Sequence, residues 1–520
     1  MGSMDELRAL IANIWGYRQL RPLQPEAMQA VLDGRDSLVV LPTGSGKSLC
    51  YQAPAVYLDG ITVVISPLIA LMKDQVDSLR EYGITALTYH SHMTEAEWHQ
   101  ARAWIRSGQA RLIYVSPERM TSESFQRYLQ SLPVRCFAVD EAHCISHWGH
   151  DFRTDYRNLT QLRTLFPGVS IHALTATATR RVREDIINQL NLHDPVVLVG
   201  EFDRPNLTYR VLPRMRDWLL QVRAVLDRHR GEAGIIYCLR RNDVDELTGT
   251  LQRLGYRAIG YHAGMMAQER RTAQEQFINK GCDIVVATIA FGMGINRSDI
   301  RFVLHTSMPR SIEAYQQETG RAGRDGLEAE CVLLNHPQDY VRLKSMLESP
   351  RDGRPPNPQY LAEQLRQLAD MSRYCRSTRC RHRMLVEYFG QAYDRANCYA
   401  CDICLGGCEP DPEAKLTSQK VLSAVARLKE HASWANVLDL LRGQATEALL
   451  AHNYHELPTF GILSDQPPSR IEDWLHQLIA RGALAKEGEL LILNENSRKI
   501  LYADESVGLL RPPGKKPLHS

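Results

Sequence analysis

Two segments of this chain carry residue types and spacings that could do chemistry: Pro42-Thr43-Gly44-Ser45-Gly46-Lys47-Ser48 and Val139-Asp140-Glu141-Ala142-His143. Together they read as the two halves of a nucleoside-triphosphate-hydrolysing site. Glycines free the first segment to turn backbone N–H groups toward a phosphate, and Lys47 is spaced to reach the outer phosphates. Thr43, Gly44, Gly46, Lys47 and Ser48 are therefore candidate nucleotide ligands. Ser48 offers a hydroxyl to magnesium, which Asp140 would hold through water, and Glu141 would polarise the attacking water. The bland alternative, a glycine-rich turn and an unrelated acidic strand end, leaves the shared strand-to-loop context of both segments without a reason.

Such a site needs buried strands behind it. A short apolar run, residues 37–41, precedes the first segment, and another, residues 136–139, precedes Asp140. Further β-branched runs at 61–66, 111–115 and 170–174 alternate with amphipathic stretches, the pattern of a parallel sheet covered by helices. After Asp203-Arg204-Pro205-Asn206 the alternation restarts at 234–238, 258–261, 283–287, 302–305 and 331–335. The expected fold is α/β: two parallel-sheet domains, residues 1–203 and 204–345. A proline-rich stretch at 349–358 then opens an arginine-rich helical segment ending in cysteines, placed at 346–408. Helical patterns at 417–430, 434–442 and 469–481, followed by a short apolar pair at 483–486 and 490–493, predict a winged helix over 409–512, with a basic tail at 513–520.

With 520 residues and 44% hydrophobic content the chain has ample core for several domains. Its net charge of +2 means that any nucleic-acid partner must be met by local basic patches. The N-terminus has no basic start followed by an apolar stretch, and no apolar run approaches the ~18 residues that read as a membrane span, so a cytoplasmic protein without membrane contact is expected. Twelve cysteines in a chain of this length do not form a disulfide scaffold, and their clustering points to a metal.

The phosphate-binding segment departs from the strict pattern, which wants glycine where Leu41 stands. Its shorter Thr-Gly-x-Gly-Lys-Ser form, joined to Asp-Glu-x-His, resembles superfamily 2 helicases. Further segments narrow the match: Trp15-Gly16-Tyr17-Arg18-Gln19-Leu20-Arg21-Pro22-Leu23-Gln24, Leu174-Thr175-Ala176-Thr177-Ala178, Phe291-Gly292-Met293-Gly294-Ile295-Asn296 and Gln317-Glu318-Thr319-Gly320-Arg321-Ala322-Gly323-Arg324-Asp325-Gly326. With the phosphate-binding pair, in this order and over about residues 8–510, they resemble the RecQ family of DNA helicases, bacterial type, without an evident further C-terminal helical domain.

That resemblance implies two RecA-like domains and an ATP-dependent helicase moving 3′ to 5′ on single-stranded DNA and unwinding duplex in recombination and repair. It implies that Tyr17 stacks on adenine while Arg21 and Gln24 fix its edge, that Arg324 is an arginine finger with Arg321 beside it, and that His143 links the two halves of the motor. Thr175 and Thr177 join this coupling set. Trp148, Phe152 and Arg153 belong to the family's aromatic-rich loop, in which rings stack on bases at ~1–3 kcal/mol each and arginine meets phosphate. A nucleoid-associated location and a single-stranded-DNA-binding protein as partner are implied by the family alone.

Cys398, Cys401 and Cys404 crowd thiolates that repel one another unless a soft cation neutralises them. Two fourth ligands compete. Cys408 would complete a run approaching the iron–sulfur pattern, with Glu409 where proline is expected. Cys380 would complete the four-cysteine zinc pattern of the RecQ family, which is favoured here and leaves Cys375, Cys408 and His382 as spares. The expected cofactors are ATP, Mg2+ and Zn2+. In the winged helix, Trp474, Leu478 and Ile479 lie on an apolar stripe expected to be core, and Arg470 and Arg481 are the exposed candidates for phosphate. The family's hairpin separates strands with a ring at its tip, whereas Lys486-Glu487-Gly488-Glu489 offers none, so a weak wedge is expected. An RNA helicase and a non-catalytic DNA-binding regulator are the rival readings. Intact Lys47, Asp140, Glu141 and Arg324 argue against the second.

Overall fold

The computed structural model describes residues 3–89, 93, 95–149, 151–292, 297–350, 356–406, 409–503 and 505–511. Motif residues Met293 to Asn296, the boundary residues 351–355, Cys408 and the tail 513–520 lie outside the described residues. The chain divides into two compact units, Met1–Met371 with Leu385–Asp394, and Ser372–Met384 with Arg395–Ser520. No helix among the described residues is long and apolar enough to cross a membrane.

The first unit holds two parallel sheets. One contains β1 (Ser37–Val40), β2 (Ile61–Ile65), β3 (Ala86–Tyr89), β4 (Leu112–Val115), β5 (Val134–Val139), β6 (Ser170–Thr175) and β7 (Val196–Val199), in the spatial order β3-β4-β2-β5-β6-β1-β7. β1, β2, β4 and β6 are buried along their whole length, as strands covered by helices on both faces must be. The order sets β6 between β5 and β1, with Val39 opposite Leu174 and Val139 opposite Ala173. Loops leaving the carboxyl ends of these three neighbours therefore converge, which is where ligands bind in open α/β sheets.

The second sheet contains β8 (Leu207–Pro213), β9 (Ala233–Tyr237), β10 (Ala258–Tyr261), β11 (Ile284–Ala287), β12 (Ile300–His305) and β13 (Ala329–Asn335), in the order β10-β11-β9-β12-β13-β8. All five expected strands of this half are present. β8 adds an edge strand that the sequence reading did not propose, paired with β13 over its full length. Helix Ile312–Thr319 follows β12, capped by the Ser311 hydroxyl accepting from the Ala314 amide. It ends at Gly320, where the loop of Arg321 and Arg324 begins.

In the second unit, helices Ala414–Leu428, Trp434–Arg442 and Pro468–Ala480 bury Val421, Leu422, Leu440, Leu441, Leu475 and Leu478 against one another. A hairpin of β15 (Ala485–Glu487) and β16 (Leu490–Ile492) follows, with Leu491 reaching that core; β14 (Glu409–Pro410) pairs with β17 (Leu510–Arg511). This is the winged helix read from the sequence. Trp474 is core as expected, and its indole donates to Asp411 at 3.3 Å. Arg470 departs from expectation: it pairs with Asp411 at 3.4 Å and stacks over Trp474, so it holds the domain together instead of standing free for phosphate. The hairpin tip is exposed and carries no ring, Lys486 lying over Trp434.

Candidate functional site

β1 turns into helix Leu49–Tyr57 through the glycine segment, with Gly44 at φ 85° and Gly46 at φ 79°, a region that favours glycine. Space demands it as well. A Cβ on Gly46 would sit 2.6 Å from Gln24 Nε2, and one on Gly44 would sit 3.1 Å from Arg324 Cγ. Gln24 Nε2 donates to the carbonyls of Ser45 and Gly46, both at 3.1 Å, and its Oε1 accepts from the Arg21 amide at 2.8 Å. Arg21 also donates through its guanidinium to the Gly44 carbonyl. The segment expected to read the base is thus tied to the loop expected to hold the phosphates. Tyr17 in the same segment is 51% exposed, a ring available for stacking.

Lys47 Nζ donates to the Leu41 carbonyl at 2.9 Å. Burial lowers its pKa against the pull of Glu141 and Asp140. Asp140, at the end of β5, is pushed up to about 7 by burial and by the Glu141 carboxylate, with Lys47 opposing. A divalent cation beside Asp140 would relieve the repulsion that Glu141 exerts on it. Ser48 and Asp140 are the residues that would hold it.

Glu141 adopts φ 47°, and this left-handed turn swings the chain so that its carboxylate lies 3.3 Å from His143 Nδ1. His143 Nδ1 is also 2.9 Å from Thr175 Oγ1, and Thr175 Oγ1 donates to the Thr177 carbonyl at 3.2 Å. Burial opposes a charge on His143, but the Cys144 thiol and the Glu141 carboxylate raise its pKa well above the ordinary value. A buried polar relay therefore runs from the β5 loop to the β6 loop, joining Glu141, His143, Thr175 and Thr177.

Arg324 comes from the other sheet's half of the unit. Its stem packs on Gly44, and Gly320 at the start of the same loop approaches Thr43, where an added Cβ would lie 3.2 Å from Thr43 Cβ. Burial and the neighbouring Arg321 and Arg204 bring its pKa down to about 9. Arg321 is buried at 3% exposure. Gathering guanidinium groups at a buried spot is unfavourable unless a polyanion joins them.

The aromatic segment after the β5 loop is already engaged. Arg181 lies over the Trp148 ring at 3.2 Å from its centroid, and Gln367 donates to the Trp148 carbonyl at 2.8 Å. Phe152 packs against His147 at 3.9 Å and Tyr360 at 5.9 Å between centroids. Arg153 is bound to Asp151 at 3.1 Å and donates to the Pro67 carbonyl at 3.1 Å. A base stacking on the covered face of Trp148 must displace Arg181. Arg181 and Gln367 carry no local motif, so only the fold reveals them.

In the second unit, the Sγ atoms of Cys380, Cys398, Cys401 and Cys404 lie within 4.8 Å of one another. Zinc–sulfur bonds of about 2.3 Å in a tetrahedron place sulfurs about 3.8 Å apart, so these four fit that ion. Cys380 immediately precedes helix Arg381–Tyr388, and two further turns wrap the thiols: the Ala400 amide donates to Cys398 Sγ at 3.3 Å and the Cys404 amide to Cys401 Sγ at 3.4 Å. The Cys380 thiol and the backbone amides bring Cys401 down to about 5, although burial opposes. Arg381 braces the knuckle through Asp402 at 2.9 Å. The spare His382 donates through Nε2 to the Ala400 carbonyl at 3.1 Å and stands outside the cluster.

Comparison with known proteins places these features in one lineage. Residues 21–186 match the DEAD/DEAH box helicase family, 217–326 the helicase conserved C-terminal domain, 337–405 the RecQ zinc-binding family and 413–517 the RQC domain. The chain is 41% identical over 519 residues to the ATP-dependent DNA helicase RecQ of Pasteurella multocida, covering 98% of this chain and 79% of that protein. The chain belongs to the RecQ family of ATP-dependent DNA helicases. The RecQ proteins of Haemophilus influenzae and Bacillus subtilis are 41% and 39% identical, each match covering 97% of this chain and 81% and 85% of the relative. Among solved structures, a DUF1998 helicase, MrfA, bound to DNA gives a TM-score of 0.55 at 17% identity over 97% of this chain and 64% of that one. Mss116p bound to single-stranded RNA and AMP-PNP gives 0.54 at 15% over 74% and 88%. These two share the fold alone. For this RecQ-family chain the two RecA-like parallel-sheet domains, the four-cysteine segment and the winged helix are the architecture its family domains require.

Proposed function

We propose that this chain is an ATP-dependent DNA helicase that translocates 3′ to 5′ on single-stranded DNA and opens duplex ahead of it, acting in recombination and repair. The observation that supports this reading is that Arg324, from the second sheet's half of the unit, packs on Gly44 of the phosphate loop, whose Lys47 feels the charges of Asp140, Glu141 and Arg324 together. Hydrolysis that requires both halves converts each turnover into relative movement of those halves, since nucleotide favours the arrangement in which Arg324 completes the site. Opening a base-pair step takes about 1.4 kcal/mol, so the mechanical demand per step is modest.

The division of labour is the one the motifs and the family resemblance imply. Tyr17, Arg21 and Gln24 serve the adenine, while Thr43, Gly44, Gly46, Lys47 and Ser48 serve the phosphates. Ser48 and Asp140 would hold Mg2+, which would supply charge neutralisation to the transferred phosphoryl group. Glu141 orients water, and Arg324 with Arg321 meets the charge that develops during transfer. The relay through His143, Thr175 and Thr177, and the neighbouring Trp148, Phe152 and Arg153, connect the nucleotide to the strand. Cys380, Cys398, Cys401 and Cys404 would hold Zn2+, and four protein thiolates suit a structural role. The domains are taken as residues 1–203, 204–345, 346–408 and 409–512, with a basic tail at 513–520. A cytoplasmic, nucleoid-associated protein that meets a single-stranded-DNA-binding protein fits this role.

Strand displacement tests the reading. A duplex with a 3′ single-stranded tail is expected to be unwound with ATP, and the same duplex with a 5′ tail is not. Unwinding only from the 5′ tail, or of RNA duplex in preference to DNA, would overturn it.

A further inference from the structure

The segment Asp203-Arg204-Pro205-Asn206 joins the two sheets of the first unit and marks the change from one domain to the next in the sequence. In the fold it does more than connect. Arg204 donates through Nη1 to the Thr43 carbonyl at 3.4 Å, within the phosphate loop, and through Nη2 to the carbonyls of Ala322 and Gly323 at 3.1 and 2.9 Å, within the loop that carries Arg324. Its Nε donates to Asn206 Oδ1 at 3.3 Å, and Asn206 Nδ2 in turn donates to Gly323 at 3.0 Å and Leu327 at 2.9 Å. One guanidinium therefore spans both sides of the cleft, and its neighbour grips the far side a second time.

Local geometry makes this grip specific. Gly323 has φ 56°, and a Cβ there would lie 2.5 Å from Asn206 Nδ2 and 2.8 Å from the Leu327 carbonyl. The loop can take this shape only with glycine, and Asn206 fills the space a side chain would need. Pro205 fixes the backbone between the two donors. A planar fork with several donors can bond carbonyls in two directions at once, which a lysine ammonium on a flexible stem does poorly.

We propose that Arg204 is a positioning residue for ATP hydrolysis: it sets Arg324 against Gly44 by bonding the phosphate loop and the Arg324 loop simultaneously. The inference rests on the reading of the chain as an ATPase that uses Arg324. Arg204 touches no reacting atom in this scheme and acts through Arg324. It also adds positive charge beside Arg324, one of the causes that bring that guanidinium down to about 9.

The test is DNA-saturated steady-state ATP hydrolysis by the full chain for the wild type, Arg204→Ala, Arg204→Lys, Arg324→Ala and the Arg204→Ala/Arg324→Ala double variant, with nucleotide affinity measured separately by a fluorescent ATP analogue. Losing hydrogen bonds made by a charged group lowers kcat by about tenfold or more, while nucleotide affinity changes little. Arg204→Lys falls in the same direction, and it keeps the proposal testable where the alanine variant does not fold. The double variant is expected to be no slower than Arg324→Ala alone, because Arg204 has nothing left to position. A kcat for Arg204→Ala within twofold of wild type, or losses that multiply in the double variant, would overturn the proposal. A wild type without ATP turnover would instead overturn the underlying ATPase reading, so the two failures are distinguishable.

Discussion

Arg324→Ala is expected to lower DNA-stimulated kcat by on the order of 10³ and to leave nucleotide binding nearly intact. The guanidinium is desolvated, its stem rests on Gly44, and burial with Arg321 and Arg204 brings its pKa down to about 9. A guanidinium held at this expense gains most when negative charge spreads over the transferred phosphoryl oxygens. An interaction made chiefly in the transition state lowers kcat and kcat/KM together when it is removed. Arg324→Lys recovers little, because one ammonium cannot reproduce the planar fork. Steady-state turnover at saturating DNA, with nucleotide affinity measured in parallel, checks this. A kcat within tenfold of wild type would mean that Arg324 is packing and not chemistry.

The second large effect is expected at the cysteines. Elemental analysis should find one zinc per chain, and Cys401→Ser should remove it together with the folded state of the knuckle. Four thiols within 4.8 Å cannot all ionise without a cation, and Cys398 is pushed up to about 12 by burial with the Cys401 thiol contributing. Structural zinc sites bind with an apparent ~10–16 kcal/mol at neutral pH, so losing the metal exceeds what a small segment can absorb. Limited proteolysis should then cut between helix Arg381–Tyr388 and Cys404. All residues assigned to the nucleotide site lie in the first unit, so nucleotide binding by the surviving protein should outlast unwinding. Iron with acid-labile sulfide, or a metal-free protein that melts at an unchanged temperature, would contradict the assignment.

Much of this was legible in the sequence because the chemistry sits on short local motifs at strand ends. Gly44, Gly46, Lys47, Asp140 and Glu141 announce themselves by spacing, and the apolar runs before them place them at the carboxyl ends of β1 and β5. β8 was less legible, since Thr208 and Arg210 interrupt its apolar run and it lies at the sheet edge, where alternation with polar residues is tolerated. β3 and β7, at the two edges of their sheet, were not legible either, although β1 and β4 are equally short. The contacts of Arg204 were not legible at all. Its partners are backbone carbonyls 161, 118 and 119 residues away, and a carbonyl carries no residue identity. Arg181 over Trp148 is hidden for a related reason, because nothing in a helix start at Arg180–Gln189 marks which arginine will find a ring. Arg470 shows the converse: an arginine that reads as exposed on its helix is largely covered and paired with Asp411.

The claim that one cleft turns ATP hydrolysis into movement on DNA is tested most directly by measuring ATP turnover with and without single-stranded DNA, in the wild type and in Lys47→Ala. Lys47 Nζ bonds the Leu41 carbonyl at the start of the phosphate loop and lies close enough to Asp140 and Glu141 to feel both charges. The expected result is turnover that rises when DNA is added to the wild type and is lost in Lys47→Ala under both conditions. Turnover that ignores DNA in the wild type, or that survives unchanged in Lys47→Ala, would contradict the account.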